Sequence, residues 1–165
     1  MAALETIITL LRDKIGLEIG SIGRSSVESA VRERLAARGV QSESDYALTV
    51  MRDASELQAL IERVVVPETW FFREVSAFRM LEKWVCQRMQ RSVRVLSVPC
   101  STGEEPYSIA MSLLDLGVKP EIHGIDISQR ALEVARRGVY VRNSFRGADL
   151  AFRDRFFRKA EEGSY

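Results

Sequence analysis

Three carboxylates have the spacing to bind a small ligand that carries a positive charge. Glu104 and Glu105 directly follow the turn Ser101–Gly103. Asp126 lies roughly twenty residues further on, the distance at which dinucleotide-binding folds place the acid that binds ribose hydroxyls. One glycine and two acids make a poor cradle for phosphate. These residues therefore predict a nucleoside that carries an amine or a sulfonium, as S-adenosylmethionine does. Its amino group would pair with Glu104 or Glu105, and N–H groups of the turn would bind its carboxylate.

The surrounding sequence predicts strands that alternate with helices, which is typical of a parallel sheet. The predicted elements are a strand from Arg94 to Val98, a helix from Glu105 to Leu116, a strand from Glu121 to Ile125, and a helix that Ser128 caps and that ends at Arg137. Since Ser128 suffices as the cap, we expect Asp126 to be available to a ligand. We expect His123 to pack inside the second strand.

The first third of the chain predicts four short amphipathic helices, and Pro67 marks the point where this pattern ends. Helices with short connections form small bundles. We therefore expect a helical domain over residues 1–66 and a second domain over residues 67–165.

Composition excludes several classes of protein. The chain has 165 residues, a formal net charge of +1 and two cysteines, which suggests neither a disulfide framework nor a metal site. We find no membrane span and no signal peptide, so we expect a cytoplasmic protein with no direct membrane insertion. Basic residues and phenylalanines alternate between Arg136 and Lys159. We interpret this region as the solvated face of an aromatic core and predict no nucleic-acid binding.

Two motifs resemble the CheR-type chemoreceptor glutamate methyltransferases. They are Glu68–Glu74, which reads Glu-Thr-Trp-Phe-Phe-Arg-Glu, and Ser101–Ser108, which reads Ser-Thr-Gly-Glu-Glu-Pro-Tyr-Ser. The resemblance continues through 126–128 and 135–140 and covers essentially the whole chain. The segment Arg142–Gly147 is most similar to a branch of the family linked to surface sensing and biofilm formation.

The resemblance implies an α/β fold, in which a small N-terminal helical bundle precedes an incomplete Rossmann-like S-adenosylmethionine methyltransferase domain. It implies that Thr69 and Arg73 contact the cofactor, that Glu104 or Glu105 holds the methionine amino group, and that Asp126 binds the ribose. Pro67 stands where many relatives have asparagine two residues before the threonine. No catalytic residue is assigned, and the product would be S-adenosylhomocysteine.

The resemblance also implies a partner, the cytoplasmic helical region of a methyl-accepting chemoreceptor. Its acidic helix would dock on the N-terminal domain, where Arg32, Arg34 and Arg38 are the candidates. The alternative is an ordinary solvated helix face, because residues 1–66 hold eight basic and ten acidic residues.

A complete methyltransferase sheet has roughly seven strands, and this sequence predicts two. We therefore expect an uncovered sheet edge, possible homodimers through that edge, and no methylation by this chain alone. The alternatives are a non-catalytic receptor-binding or dimerisation module and, from the basic tail, a nucleic-acid methyltransferase. A nucleotide-sugar or NAD enzyme is disfavoured because the glycine pattern is missing.

Overall fold

The computed structural model describes residues 2–147, 150–160 and 163–165. The chain divides into two compact units, residues 1–66 and residues 67–165. The first unit is helical, and its elements are α1 (Ala2–Ile15), α2 (Ile19–Ile22), α3 (Arg24–Arg38), α4 (Glu43–Arg52) and α5 (Ala54–Val64). None of the helices in the described ranges is long and apolar enough to cross a bilayer.

The first unit folds around one apolar seam. Leu11, Val27 and Leu60 come from three different helices, and each is fully buried. Side-chain caps define where the later helices begin. The Ser42 hydroxyl accepts a hydrogen bond from the backbone of α4, and the Asp53 carboxylate accepts two from the backbone of α5. Such caps stabilise a helix by about 1 kcal/mol each.

The second unit combines helices with a short parallel sheet. Its elements are α6 (Val75–Gln87), β1 (Ser92–Ser97), α7 (Glu104–Asp115), β2 (Lys119–Gly124), α8 (Gln129–Arg137), a 3-10 turn (Arg142–Ser144) and α9 (Ala151–Phe156). Strands β1 and β2 pair in parallel from Ser92 opposite Lys119 to Ser97 opposite Gly124. Helix α7 makes the crossover between them, as parallel strands require.

Helices cover one face of the sheet. Val93 packs with Phe78 and Val85 of α6 and with Ile109 and Leu113 of α7. In β1 the side chains that alternate with Val93, those of Ser92, Arg94 and Leu96, are exposed.

The opposite sheet face is open within the described part of the chain. Leu96 of β1 is 61% exposed, and Val98 and Ile125 beyond the strand ends are also exposed. The prediction that His123 packs inside the strand is wrong. Its side chain is 67% exposed beside Glu121, because it points to the uncovered face.

The tail of the second unit forms an aromatic cluster. Phe71 is 1% exposed, and its ring centroid lies 4.9 Å from those of Tyr140 and Phe157 and 5.0 Å from that of Phe145. Arg155, on the same stretch, is exposed and pairs with Asp115. The prediction of an aromatic core with a solvated basic face is confirmed.

Candidate functional site

Asp126 joins the two turns at the carboxyl ends of β1 and β2. Its Oδ2 accepts a hydrogen bond from the Ser101 N–H at 2.7 Å, and its Oδ1 accepts one from the Ser128 N–H at 2.9 Å. The Ser128 hydroxyl caps α8 by accepting from the Ala131 N–H, as predicted. Asp126 nevertheless supports the two turns as well, because both of its carboxylate oxygens accept from backbone N–H groups; its availability to a ligand stays a prediction. Each oxygen still has acceptor capacity for a further donor.

The two neighbouring glutamates lie in different environments. Glu104 is 2% exposed, and its carboxylate accepts hydrogen bonds from the Thr102 hydroxyl at 2.6 Å and the Ser144 hydroxyl at 2.8 Å. Glu105 is exposed and accepts one hydrogen bond, from the Ser97 hydroxyl at 2.7 Å. Thus Glu104 is enclosed by protein donors, while Glu105 projects an accessible carboxylate beside the end of β1.

The turn between β1 and α7 is fixed by close packing around Gly103. This glycine has φ +99°, and a Cβ atom added to it would lie 2.6 Å from the Tyr140 hydroxyl and 2.8 Å from the Ala135 Cβ. The same hydroxyl donates to the Thr102 carbonyl at 2.8 Å. Burial is the main cause that raises the pKa of Tyr140, and the nearby negative charge of Glu104 adds to it. The hydroxyl therefore stays protonated and can donate.

Tyr140 is a positioning residue that reasoning from the sequence missed. Its hydrogen bond to Thr102 spans 38 positions of the chain, so no local pattern indicates it. The one available signal was its place at the end of the segment 135–140, which carries part of the family resemblance.

The segment Glu68–Glu74 is tied to the same turn through two serines. The Phe71 N–H donates to the Ser144 carbonyl at 2.9 Å, and the Phe72 N–H donates to the Ser108 hydroxyl at 3.0 Å. Ser108 in turn donates to the Glu104 carbonyl at 2.7 Å. The two sequence motifs therefore belong to one connected structure.

The predicted cofactor contacts of that segment face outward to different degrees. Thr69 is half-buried, and Arg73 is exposed. The Arg73 guanidinium donates to the Glu68 carbonyl and stacks on the Trp70 ring, 4.6 Å from its centroid. Within the described residues no carboxylate pairs with Arg73, so its positive charge is available to an anion.

Cys100 fills space under the turn. Its side chain is 2% exposed, and a Cβ added at Gly124 would come within 2.9 Å of its sulfur. Burial and the charge of Asp126 raise the pKa of its thiol, which disfavours the reactive thiolate. No group of three or more potential metal ligands occurs among residues 2–147, 150–160 and 163–165.

The three candidate docking arginines do not share one face of α3. Arg34 donates from Nε and Nη2 to both oxygens of Glu56, at 2.9 and 2.7 Å, and Tyr46 donates to the same carboxylate at 2.9 Å. Arg38 lies 3.6 Å from Glu56 and 3.4 Å from Asp53. We therefore leave Arg34 out of any docking surface, because its guanidinium neutralises a buried carboxylate.

Burial would raise the pKa of Glu56, but hydrogen bonds from Arg34 and Tyr46 outweigh it and hold the pKa below its usual value. The cluster is therefore a charged element of the helical core.

Arg32 instead lines a surface groove that contains both acidic and basic residues. The groove is lined by Leu4, Glu5, Arg24, Glu28, Arg32 and Glu43. Among the described residues no ion pair joins Arg32 to a carboxylate. Three acids beside two arginines give this groove no net positive charge, which weakens it as a site for an acidic helix.

Comparison with known families identifies both units. Residues 67–165 match the family described as CheR methyltransferase, SAM binding domain, and residues 2–65 match CheR methyltransferase, all-alpha domain. The chain belongs to the CheR methyltransferase family. The predicted fold class is confirmed, and so is S-adenosylmethionine as the cofactor of this family.

The chain is also similar to individual members of this family. The chain is 47% identical to the probable biofilm formation methyltransferase WspC of Pseudomonas aeruginosa, over 93% of this chain and 38% of the relative. It is equally similar to WspC of Pseudomonas putida, with the same coverage. It is 32% identical to chemotaxis protein methyltransferase 2 of Vibrio cholerae, over 92% of this chain and 57% of the relative. The chain thus spans about two fifths of the length of the WspC proteins.

Proposed function

We propose that this chain carries the methionine and ribose side of the S-adenosylmethionine site in a protein-glutamate methyltransferase. The observation that carries this proposal is the exposed Glu105 carboxylate in the first turn of α7. It directly follows the Ser101–Gly103 turn that Asp126 anchors at the ends of two parallel strands. Open α/β sheets bind their ligands at this edge. An acid on the turn suits a cationic ligand better than a phosphate.

The environments of the two glutamates distinguish their roles. Glu105 is the ligand for the methionine amino group, because its carboxylate is exposed. Glu104 holds the turn against Ser144 and is almost completely buried. Asp126 accepts hydrogen bonds from the ribose hydroxyls, because each of its carboxylate oxygens can accept a second hydrogen bond beside the one from the backbone. Thr69 and Arg73 complete the cofactor side.

The reaction is methyl transfer to a glutamate side chain of a receptor. Bound S-adenosylmethionine supplies an electrophilic methyl group. A glutamate of pKa about 4.3 is already ionised near neutral pH, so the site needs no general base. The acceptor oxygen forms the ester bond, and the electron pair of the broken carbon–sulfur bond stays with sulfur. The protein contributes orientation and exclusion of water around two opposite charges.

The partner is the cytoplasmic helical region of a methyl-accepting chemoreceptor in a surface-sensing pathway, and the protein acts in the cytoplasm. Residues 1–66 form the receptor-docking domain, and residues 67–165 form the cofactor-binding domain. Arg32 and Arg38 remain the docking candidates on α3, since both are exposed. Arg32 is the stronger candidate, because Arg38 also pairs with Asp53 and Glu56. Reversal of both charges should weaken receptor methylation by the complete enzyme, and unchanged methylation would contradict this docking site.

Calorimetry with S-adenosylhomocysteine tests the cofactor assignment. We expect Glu105→Gln to weaken binding about tenfold, the effect of one charge-assisted hydrogen bond. Glu104→Gln is the matched control, because it alters the adjacent carboxylate and should change stability more than affinity. The reverse pattern would assign the amino group to Glu104. Binding by the 165-residue chain should be weak or absent, and robust methylation by this chain alone would refute the incomplete-site interpretation.

A non-catalytic module is the second candidate function, favoured by the open sheet face. Leu96, Val98 and Ile125 expose apolar surface there, and such surface commonly marks an interface. Homodimers through this sheet would be detected by sedimentation. Leu96→Lys should then abolish the dimer, whereas a monomeric wild-type chain would exclude this role.

A further inference from the structure

Four residues form a cationic corner next to the proposed site, and we refer to Glu68, Trp70, Arg73 and Arg146 as the tryptophan corner. The guanidinium carbons of Arg73 and Arg146 lie 4.6 and 5.3 Å from the centroid of the Trp70 ring. Glu68 also contacts both arginines, since its carbonyl accepts from Arg73 and its carboxylate lies 3.6 Å from Arg146 Nη1.

The charges of this corner do not balance. Its single carboxylate is 62% exposed and lies at the long end of ion-pair distance from Arg146. The Arg146 Nε donates to the Asn143 carbonyl, and within the described residues the other N–H groups of the two arginines have few acceptors. Two guanidinium groups beside one indole ring repel each other, and a bound anion would lower that repulsion. The geometry is therefore suited to a carboxylate, which guanidinium groups bind in a bidentate manner.

The corner is connected to the cofactor turn by short links. Arg146 follows Ser144 by two positions, and Ser144 accepts from the Phe71 N–H and donates to Glu104. Phe71 itself lies between Trp70 and Arg73 in the chain. The hydrogen bonds at Ser144 thus hold both sides of the corner against the turn that carries Glu105.

We propose that Arg146, which lies on the Trp70 ring beside Arg73, is a specificity-determining residue that binds a carboxylate of an acidic acceptor peptide. This inference rests on the proposed function. Methyl transfer to glutamate joins a cationic donor with an anionic acceptor. Glu105, Asp126 and Arg73 serve the cofactor in that proposal, which leaves the Arg146 guanidinium for the anion.

Fluorescence of Trp70 gives a direct readout of this corner. The chain has two tryptophans, so Trp84→Phe leaves Trp70 as the only indole. A glutamate-rich helical peptide is titrated into this background, and the same peptide with glutamine at every glutamate tests for charge. We expect a saturable change in Trp70 emission with the first peptide only. Arg146→Gln should weaken that binding about tenfold, and Arg146→Lys should recover part of it.

The matched control is Arg88→Gln. Arg88 stacks on Trp84 at 4.7 Å from its centroid, so this change removes the same charge and the same type of contact outside the corner. It is made with both tryptophans present and followed by calorimetry, and it should leave peptide binding unchanged. Thermal unfolding of each variant verifies that the fold is retained.

The outcomes separate this inference from the proposed function. Binding of S-adenosylhomocysteine should be the same in Arg146→Gln and wild type, because Arg146 serves the acceptor. Equal peptide affinity in Arg146→Gln and wild type would overturn the inference, as would the absence of peptide binding by the wild-type chain. A Glu105→Gln substitution that left S-adenosylhomocysteine binding unchanged would instead count against the proposed function.

Discussion

Replacement of Gly103 by alanine should damage the turn more than its small size suggests. The new methyl group would lie 2.6 Å from the Tyr140 hydroxyl, 2.8 Å from the Ala135 Cβ and 3.0 Å from the Ala135 Cα. One of these neighbours is backbone, and Tyr140 is buried and hydrogen-bonded to Thr102. Neither neighbour can move without disturbing α8 or the turn.

The expected cost is the sum of two effects. An alanine at positive φ is strained by about 1 kcal/mol, and overpacking of a rigid site costs about 1–3 kcal/mol. Gly103→Ala should therefore lower the free energy of unfolding of the second unit by about 3 kcal/mol. Gly117→Ala isolates the first effect, because Gly117 has φ +70° and an added Cβ would meet no atom within 4 Å.

Urea unfolding followed by tryptophan fluorescence measures this cost. Trp70 and Trp84 both lie in the second unit, so the signal reports that unit. Gly103→Ala should lose about 2 kcal/mol more than Gly117→Ala. The difference should shrink in a Tyr140→Phe background, which removes the atom at 2.6 Å. Equal losses in the two alanine variants would refute the steric argument.

Three further outcomes follow from the contacts. Glu56→Gln should flatten the acid sensitivity of the first unit. The folded-state pKa of Glu56 is lowered, so its stabilisation is present above the unfolded value of about 4.3 and is lost as pH falls; helical circular dichroism in urea at pH 7 and pH 4 measures this. Tyr140→Phe should cost about 1 kcal/mol for the hydrogen bond to Thr102, measured by tryptophan fluorescence. Arg155→Ala, which breaks the exposed pair with Asp115, should change the free energy of unfolding of the second unit by less than about 1 kcal/mol.

Local patterns predicted the order of elements because each element carries its own signal. Alternating apolar residues and the Ser128 cap place β1, α7, β2 and α8 within two residues of their observed bounds. The strands begin earlier than predicted, at Ser92 and Lys119. These polar first residues carry no apolar signal and become strand only through their pairing.

The roles of individual charged residues were predicted less well, because they depend on distant partners. Arg34 pairs with Glu56 across 22 positions, and Glu104 binds Ser144 across 40. The spacing of residues along α3 or along the turn therefore indicates neither contact. The sequence therefore left Glu104 and Glu105 equivalent, and burial distinguishes them.

Asp126 presents the sharpest test of how a carboxylate can both support a turn and bind a ligand. Asp126→Asn keeps one acceptor oxygen but places an NH2 group against the Ser101 or Ser128 N–H, so it should lower both stability and affinity. Glu105→Gln should affect only ligands with an amino acid end.

Adenosine and S-adenosylhomocysteine share the ribose and differ in the amino acid, so calorimetry with both ligands separates the two carboxylates. Asp126→Asn should weaken binding of both ligands by the same factor, about tenfold. Glu105→Gln should weaken S-adenosylhomocysteine alone. If Asp126→Asn left the affinity for adenosine unchanged, Asp126 would be a structural clamp between Ser101 and Ser128, and the ribose would bind elsewhere.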